Sequence, residues 1–413
     1  MMERKTILFV LPFFPYPLVS GGHQAIFNGI LAISDRYNAI LTYEVGDCPQ
    51  YRENERLFLK RIPNAVLCPS FLKRRKKKAM KEFFRGFRNR CNAGKCHVEK
   101  NTAAPDCERW RWECAPLSRE FALHLTSLFD RYHIDIVQAE MINLASTVFF
   151  VPENVKTVFV HHELSFVRHQ LEMNQFGNGL LPRAMFEYAR MAELGMLDRY
   201  DLVIVLSDTD KQKLADAGIR TCIATSSAVV CQNVYRPRIV SSKVLTFVGG
   251  DEHEPNLAAM DWFLENCWNR LKAADGGYKL KIISKWSEKN RIRILNSYRD
   301  VEFLGFVEEL DTVFDGATMI VPITIGSGIR MKILEAASRG VPFVSTSIGA
   351  EGLPFKDGEH CYIKDEPSDF VQAILSVQDQ TVRASFCEKA RQIVSSDYSF
   401  EAFKEKRLRL YEC

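Results

Sequence analysis

No apolar run in the 413-residue chain approaches the ~20 residues that cross a bilayer, so no transmembrane helix is expected. Excess charge is missing too. The 55 Lys and Arg against 51 Asp and Glu leave a net charge of +4, and no RNA- or DNA-binding signature accompanies it, which argues against a nucleic-acid partner. The C-x-x-C knuckle of many zinc sites is absent although there are twelve cysteines. Eight of these (Cys48, Cys68, Cys222, Cys231, Cys267, Cys361, Cys387 and Cys413) stand singly and read as buried thiols. Cys91, Cys96, Cys107 and Cys114, with His97 beside the second, keep two readings: free thiols of a reducing compartment, or sulfurs engaged in a four-thiolate metal site or in disulfides. The opening MMERKTILFVLPFFPYPLVSGG lacks an A-x-A-like cleavage site, and Pro12, Pro15 and Pro17 would break an apolar signal helix. TILFVLP therefore reads as a buried strand, and the chain is expected to begin in the cytoplasm.

What the chain does have is alternation. TILFVL, NAILTYE, NAVLCPS, IDIVQAE, VKTVFVHH and YDLVIVLS read as short buried strands with amphipathic segments between most of them. One such segment, PLSREFALHLTSLFDRYH, sets Leu117, Phe121, Leu125 and Phe129 near one helical face. The pattern falters from about residue 226 to 243 and restarts with VLTFVGG, the long helix PNLAAMDWFLENCWNRL, then YKLKIIS, VEFLGFV, TMIVPIT and VPFVSTS. The expectation is α/β: two Rossmann-like, doubly wound parallel-sheet domains facing a cleft, over residues 1–233 and 244–390, joined by a linker at 234–243. An insertion at about 70–115 holds the four clustered cysteines and the run KRRKKKAMKEFFRGFRNR (residues 73–90), with Phe83, Phe84 and Phe87 among the cations. That run is either a basic amphipathic helix for an anionic membrane surface or a solvated surface insertion.

In such folds ligands bind at the strand C-termini, where two stretches stand out. In IGSGIRMKILEAASRG, residues 325–340, Gly326, Ser327 and Gly328 form a strand-to-helix turn, with the helix expected from about Ile329 to Ala337. Free N–H groups and the helix dipole attract an anion there, and Arg330 and Lys332, unfavourable in a first turn by themselves, make sense if a diphosphate needs neutralising. Glu335 can accept a pair of hydrogen bonds from vicinal hydroxyls such as a ribose offers. In LPFFPYPLVSGGHQ, Gly21 and Gly22 leave space for a phosphate or sugar ahead of a helix entered at His23. Taken singly, each of these reads equally as an ordinary glycine turn.

Together, FVGGDEHEPNLAAMDWF, LGFVEEL, VPITIGSGIRMKILEAASRGVPFVSTSIGAEGL and the SGG loop resemble the GT-B glycosyltransferases of family 4, of the glycosyl transferases group 1 type. The resemblance implies a metal-independent, cofactor-free hexosyltransferase that retains anomeric configuration. It would take a nucleotide-diphosphate-sugar donor on the C-terminal domain and a glycan or lipid-linked acceptor on the N-terminal one, in cell-envelope polysaccharide synthesis at the inner membrane face. It implies too that residues 391–413 return to the N-terminal domain. The family's ribose glutamate maps to Glu335, and the first glutamate of its E-x7-E motif maps to Ser327, in a G-x-G-x-R-x-K variant. The glycine of the first C-terminal turn is Gly249, in an acidic VGGDEHEPN, which leaves Arg330 and Lys332 as the cationic clamp with Lys285 as a third contributor. The base falls beside Phe306, Val307 and Leu310. The histidine motif maps to His161, contacting the transferred sugar or orienting the acceptor, with His162 where an aspartate is common; Glu140 and Glu163 read first as structural. Rival readings are a nucleotide-sugar epimerase on the same scaffold and a catalytically silent nucleotide-sugar-binding protein, the latter suggested by Ser327.

Overall fold

The computed structural model describes residues 4–46, 50–71, 107–176, 179–227, 229, 236–237, 240–307 and 309–412. Seven parallel strands form the first sheet: β1 (Thr6–Leu11), β2 (Asn38–Val45), β3 (Val66–Phe71), β4 (Ile136–Glu140), β5 (Lys156–His161), β6 (Leu202–Val205) and β7 (Cys222–Thr225), in spatial order β3-β2-β1-β4-β5-β6-β7. Six more form the second: β8 (Val244–Val248), β9 (Lys279–Ile283), β10 (Val301–Gly305), β11 (Thr318–Val321), β12 (Phe343–Ser345) and β13 (Tyr362–Ile363), in order β10-β9-β8-β11-β12-β13. This is the two-domain α/β architecture expected from the alternation. Ile7 to Leu11 are all buried, as a parallel strand covered by helices on both faces requires. Each sheet reverses its strand order once, between β1 and β4 and between β8 and β11, and at those points the loops diverge and leave a crevice.

Two strands escape a reading by apolar runs. β7 lies at a sheet edge with half-covered side chains, and β13 is two residues long, so neither carries a buried run. The helix Arg119–Arg131 starts at Ser118, whose Oγ accepts the Phe121 N–H, and it buries Phe121, Ala122, Leu125 and Leu128. Leu117 and Phe129, expected on that face, are only partly covered, because the 3.6-residue period carries the buried stripe from Leu125 to Leu128. The helix after β11 begins at Met331 rather than Ile329. Gly326 and Gly328, at φ 119° and 79°, are in backbone that cannot be helical, so the turn runs on through Arg330. Conversely, Gly21 and Gly22 are the first two residues of the helix Gly21–Ile33, capped by Ser20, not a loop before it.

Helix Gln380–Asp397 packs on helix Met331–Arg339 in the C-terminal domain, and helix Phe400–Glu412 packs on Gly21–Ile33 in the N-terminal one. Phe403 and Tyr411 enter the N-terminal core there, and the Tyr411 hydroxyl bonds to Gln138 Oε1 in β4. Where the chain passes back, Ser227 Oγ donates to Asp397 O at 3.3 Å, so the two passages between domains touch. Within the C-terminal domain the fully buried Arg383 donates to Thr318 Oγ1 (2.8 Å), Ala317 O (2.9 Å) and Gly316 O (3.1 Å), fixing the start of β11, the strand that aims the glycine turn. Replacing Arg383 by Leu takes a buried donor from Thr318 Oγ1 and Ala317 O, while Gly316 O keeps Ser242 N at 2.9 Å. The expected loss is about 3 kcal/mol of stability, measured by chemical denaturation; a loss under about 1 kcal/mol would show that the network is not holding β11.

Candidate functional site

On the C-terminal side the turn after β11 folds back on itself. Arg330 Nη1 donates to the carbonyls of Ser327 and Gly328, while Nη2 is buried with no hydrogen-bond partner among the described residues. Burial lowers the pKa of this guanidinium. Lys332, the second helical residue, donates to Asn256 Oδ1 at 2.8 Å and lies 4.3 Å over the Phe247 ring. Burial first, and then the charge of Arg330, bring Lys332 down to about 7. Asn256 in turn donates to Gly250 O at 2.9 Å, and Gly249, at φ 149°, leaves it room, since a Cβ there would lie 2.7 Å from the Asn256 side chain.

On the N-terminal side, Gly21 and Gly22 present the first-turn N–H groups of their helix. A Cβ on Gly21 would lie 3.1 Å from Met331 Cγ, so the N-termini of the Gly21–Ile33 and Met331–Arg339 helices meet across the cleft. The positive ends of their dipoles therefore face the cleft, and Arg330 and Lys332 stand at the start of the second helix.

The domains are closed over this cleft. Leu164 N donates to Ser327 Oγ at 2.8 Å, Ser327 N donates to Glu163 Oε1 at 3.4 Å, and Lys213 Nζ bridges Glu351 at 2.5 Å. Burial pushes Glu163 up, but His253, Arg168 and Arg330 outweigh it and hold the carboxyl down at about 2. Beside it a cavity of about 240 Å³ opens between Glu163 and Arg168 of one domain and Glu252, His253 and Pro255 of the other.

Gly326, Ser327, Gly328, Arg330 and Lys332 thus come together with Gly21 and Gly22, and Gly249 is tied to them through Asn256. Lys285 is exposed just past β9, following Ser284 at φ 123°. Phe306 is 68% exposed at the end of β10, with Val307 and Leu310 packed on the core beneath. Glu335 is half-buried and bonded to Arg339 Nε at 2.8 Å. Of the adjacent histidines, His161 is enclosed. Its Nε2 meets Glu193 Oε1 at 2.8 Å, and Glu193 also accepts from Ser165 N and Phe166 N, capping the helix Ser165–Phe176. His162 is the more open, its Nε2 2.6 Å from Glu140 Oε2. Cys91, Cys96 and the basic run at 73–90 lie outside the described residues; Cys107 is packed with Trp110 and Phe186, and the Cys114 thiol is pushed up to about 12 by burial. Asn256, Glu163 and Arg168 are the neighbours that sequence alone left unassigned or read as structural. A hint was present only for Asn256, at the end of the acidic GGDEHEPN stretch.

Residues 242–380 match the family model described as Glycosyl transferases group 1. The whole chain superposes on TarM (13% identity, 100% of this chain and 99% of that one, TM-score 0.72), on sucrose-phosphate synthase from Thermosynechococcus elongatus (13%, 99% and 98%, 0.67) and on Anabaena HepE in complex with UDP (13%, 98% and 99%, 0.65). The fold is GT-B. A Klebsiella pneumoniae protein, "Uncharacterized 44.6 kDa protein in cps region", is 28% identical over 145 residues, a match that spans 32% of this chain and 36% of that relative. The meeting of helix N-termini at Gly21 and Met331 lies in the inter-domain cleft of this GT-B fold.

Closure depends on a missing side chain at Gly328, where a Cβ would stand 2.5 Å from His162 O. Gly328→Ala, which also carries about 1 kcal/mol of left-handed strain, is expected to leave both domains folded and to hold the cleft open. Small-angle scattering would show a larger radius of gyration; an unchanged profile refutes the contact.

Proposed function

We propose that the protein is a retaining glycosyltransferase of the GT-B type, moving a sugar from a nucleotide-diphosphate-sugar donor to a glycan or lipid-linked acceptor. The observation that carries this is the meeting of two helix N-termini across the cleft, with Arg330 and Lys332 at the entrance of one of them. Breaking the bond from the anomeric carbon to the diphosphate builds negative charge on the leaving oxygen, and preorganised donors and cations at that oxygen lower the barrier. The two helix ends and the two cations supply that charge stabilisation, and the proposal calls on no metal ion.

Glu335 would accept the ribose hydroxyls, and exposed Phe306 would offer the base a flat apolar surface over Val307 and Leu310. Lys285 would add a third positive charge. The acceptor would enter from the N-terminal side past His162, with His161 holding the loop that carries it. The relatives support this choice of substrates: one solved neighbour is S. aureus TarM in complex with alpha-GlcNAc-glycerol and UDP, another is Anabaena HepE in complex with UDP-glucose. Closure over the donor would exclude water, so that transfer outpaces hydrolysis. The acceptor's carrier would hold the protein at the inner face of the membrane in envelope polysaccharide synthesis.

Lys332 gives the direct test. With a pKa of about 7 it is charged below that pH and largely neutral above it until an anion restores the charge. Binding of a nucleotide-sugar, which has no phosphate ionising near neutrality, is expected to take up close to one proton at pH 8.5 and almost none at pH 5.5, and to weaken as pH rises through 7. Calorimetry in buffers of different ionisation enthalpy, run with UDP-glucose, GDP-mannose and ADP-glucose, measures this. Lys332→Ala should abolish the uptake and lower kcat by roughly 10²-fold, about 3 kcal/mol of transition-state stabilisation. Folded protein that binds none of the three donors would refute the reading.

A further inference from the structure

We propose that Glu163, reaching over from the N-terminal domain, is the carboxylate that receives the donor sugar's hydroxyls beside the Gly326–Gly328 turn. This rests on the donor reading above. A sugar attached to a diphosphate at Arg330 and Lys332 must emerge next to the turn, and the side of Gly326 that lacks a Cβ shows what it would meet there. A Cβ built there would lie 3.0 Å from Arg330 Nη2, 3.5 Å from Pro255 Cγ and 3.6 Å from Glu163 Oε1. The glycine thus faces the junction of turn, cavity and the opposite domain.

The C-terminal domain offers no carboxylate of its own in this turn. Ser327 is buried, and its hydroxyl already accepts Leu164 N. Of the other acids that act on Arg330, Glu351 is bridged to Lys213, and Asp210 is buried and accepts from Ser207 Oγ at 2.9 Å within its own helix cap. Glu163 is the acid at the turn itself. One oxygen meets Ser327 N, the other points toward His253 at 4.0 Å, and 27% of the side chain remains open on the cavity. Arg168, 3.3 Å away, and His253 keep it ionised, and an ionised carboxylate has acceptor sites to spare for a pair of hydroxyls.

The small residue at position 327 and the glutamate at 163 are then two halves of one arrangement. A serine lets the loop after β5 dock, and docking brings the carboxylate. Sugar selectivity becomes a property of the closed form alone, and an open protein would hold the nucleotide without reading the sugar.

The test separates nucleotide from sugar. Affinities of wild type, Glu163→Gln and Glu163→Asp are measured by calorimetry for UDP, GDP and ADP and for UDP-glucose, GDP-mannose and ADP-glucose, with thermal unfolding as the check on folding. For at least one pair the wild type should bind the sugar conjugate more tightly than the bare nucleotide. Glu163→Gln should cut that advantage by about ten-fold or more, as for loss of a charged hydrogen-bond acceptor, any effect through Arg330 on the shared diphosphate cancelling in the ratio, and Glu163→Asp should restore part of it. A Gln variant that weakens both alike, or neither, overturns the assignment, as does a wild type that gains nothing from the sugar. A wild type that binds no nucleotide at all instead overturns the donor reading beneath it.

Discussion

A guanidinium enclosed at the entrance to a helix is the interaction on which the cleft depends. The dipole of the Met331–Arg339 helix repels a cation at its N-terminus, and burial removes the water that would otherwise solvate Arg330. The protein compensates with the carbonyls of Ser327 and Gly328 and with the charges of Glu163, Glu351 and Asp210, of which Glu163 and Asp210 come from the other domain. More is left to a ligand, because Nη2 has no hydrogen-bond partner among the described residues. The C-terminal domain alone therefore leaves a charge poorly answered, and closing the cleft is one way to answer it. Closure and a bound anion answer the same charge.

Two of the four non-glycine residues at positive φ among the described residues stand at the mouth of the cleft, the others, Lys243 and Asp300, at the far ends of β8 and β10. Met141 at φ 68° ends β4 and touches the Gly22 position, and Ser284 at φ 123° ends β9 against Gly250. Left-handed conformations in residues with side chains cost of order 1 kcal/mol or more. Both fall at strand C-termini facing the cleft. The buried strands act as mounts, and part of the backbone cost is carried by the loops that approach the ligand.

Most of the fold was legible because a parallel strand covered on both faces must be a continuous apolar run, as TILFVL and VLTFV are. Edge strands β7 and β13 have no such obligation and left no trace. Arg330 and Lys332 could be nominated from their spacing after a glycine turn, but not their partners. Lys332 meets Asn256 from 76 residues away, and Ser327 meets Leu164 from 163 residues away. Local periodicity has no reach over such distances. The helix start was misplaced by two residues because Gly326 and Gly328 hold the chain out of helical conformation, a fact of backbone sterics that composition alone does not locate. Between His161 and His162 the sequence offered no means of choice, since which of two neighbours turns inward depends on where Glu193 and Glu140 stand.

The chain passes between the domains twice, after β7 and again between Asp397 and Phe400, and the bond from Ser227 to Asp397 holds the two passages side by side. Two crossings tied together at Ser227 and Asp397 hold the halves more closely than one would. They favour a swing that returns the same faces to register, as a cleft assembled from one domain's glutamate and the other's arginine requires.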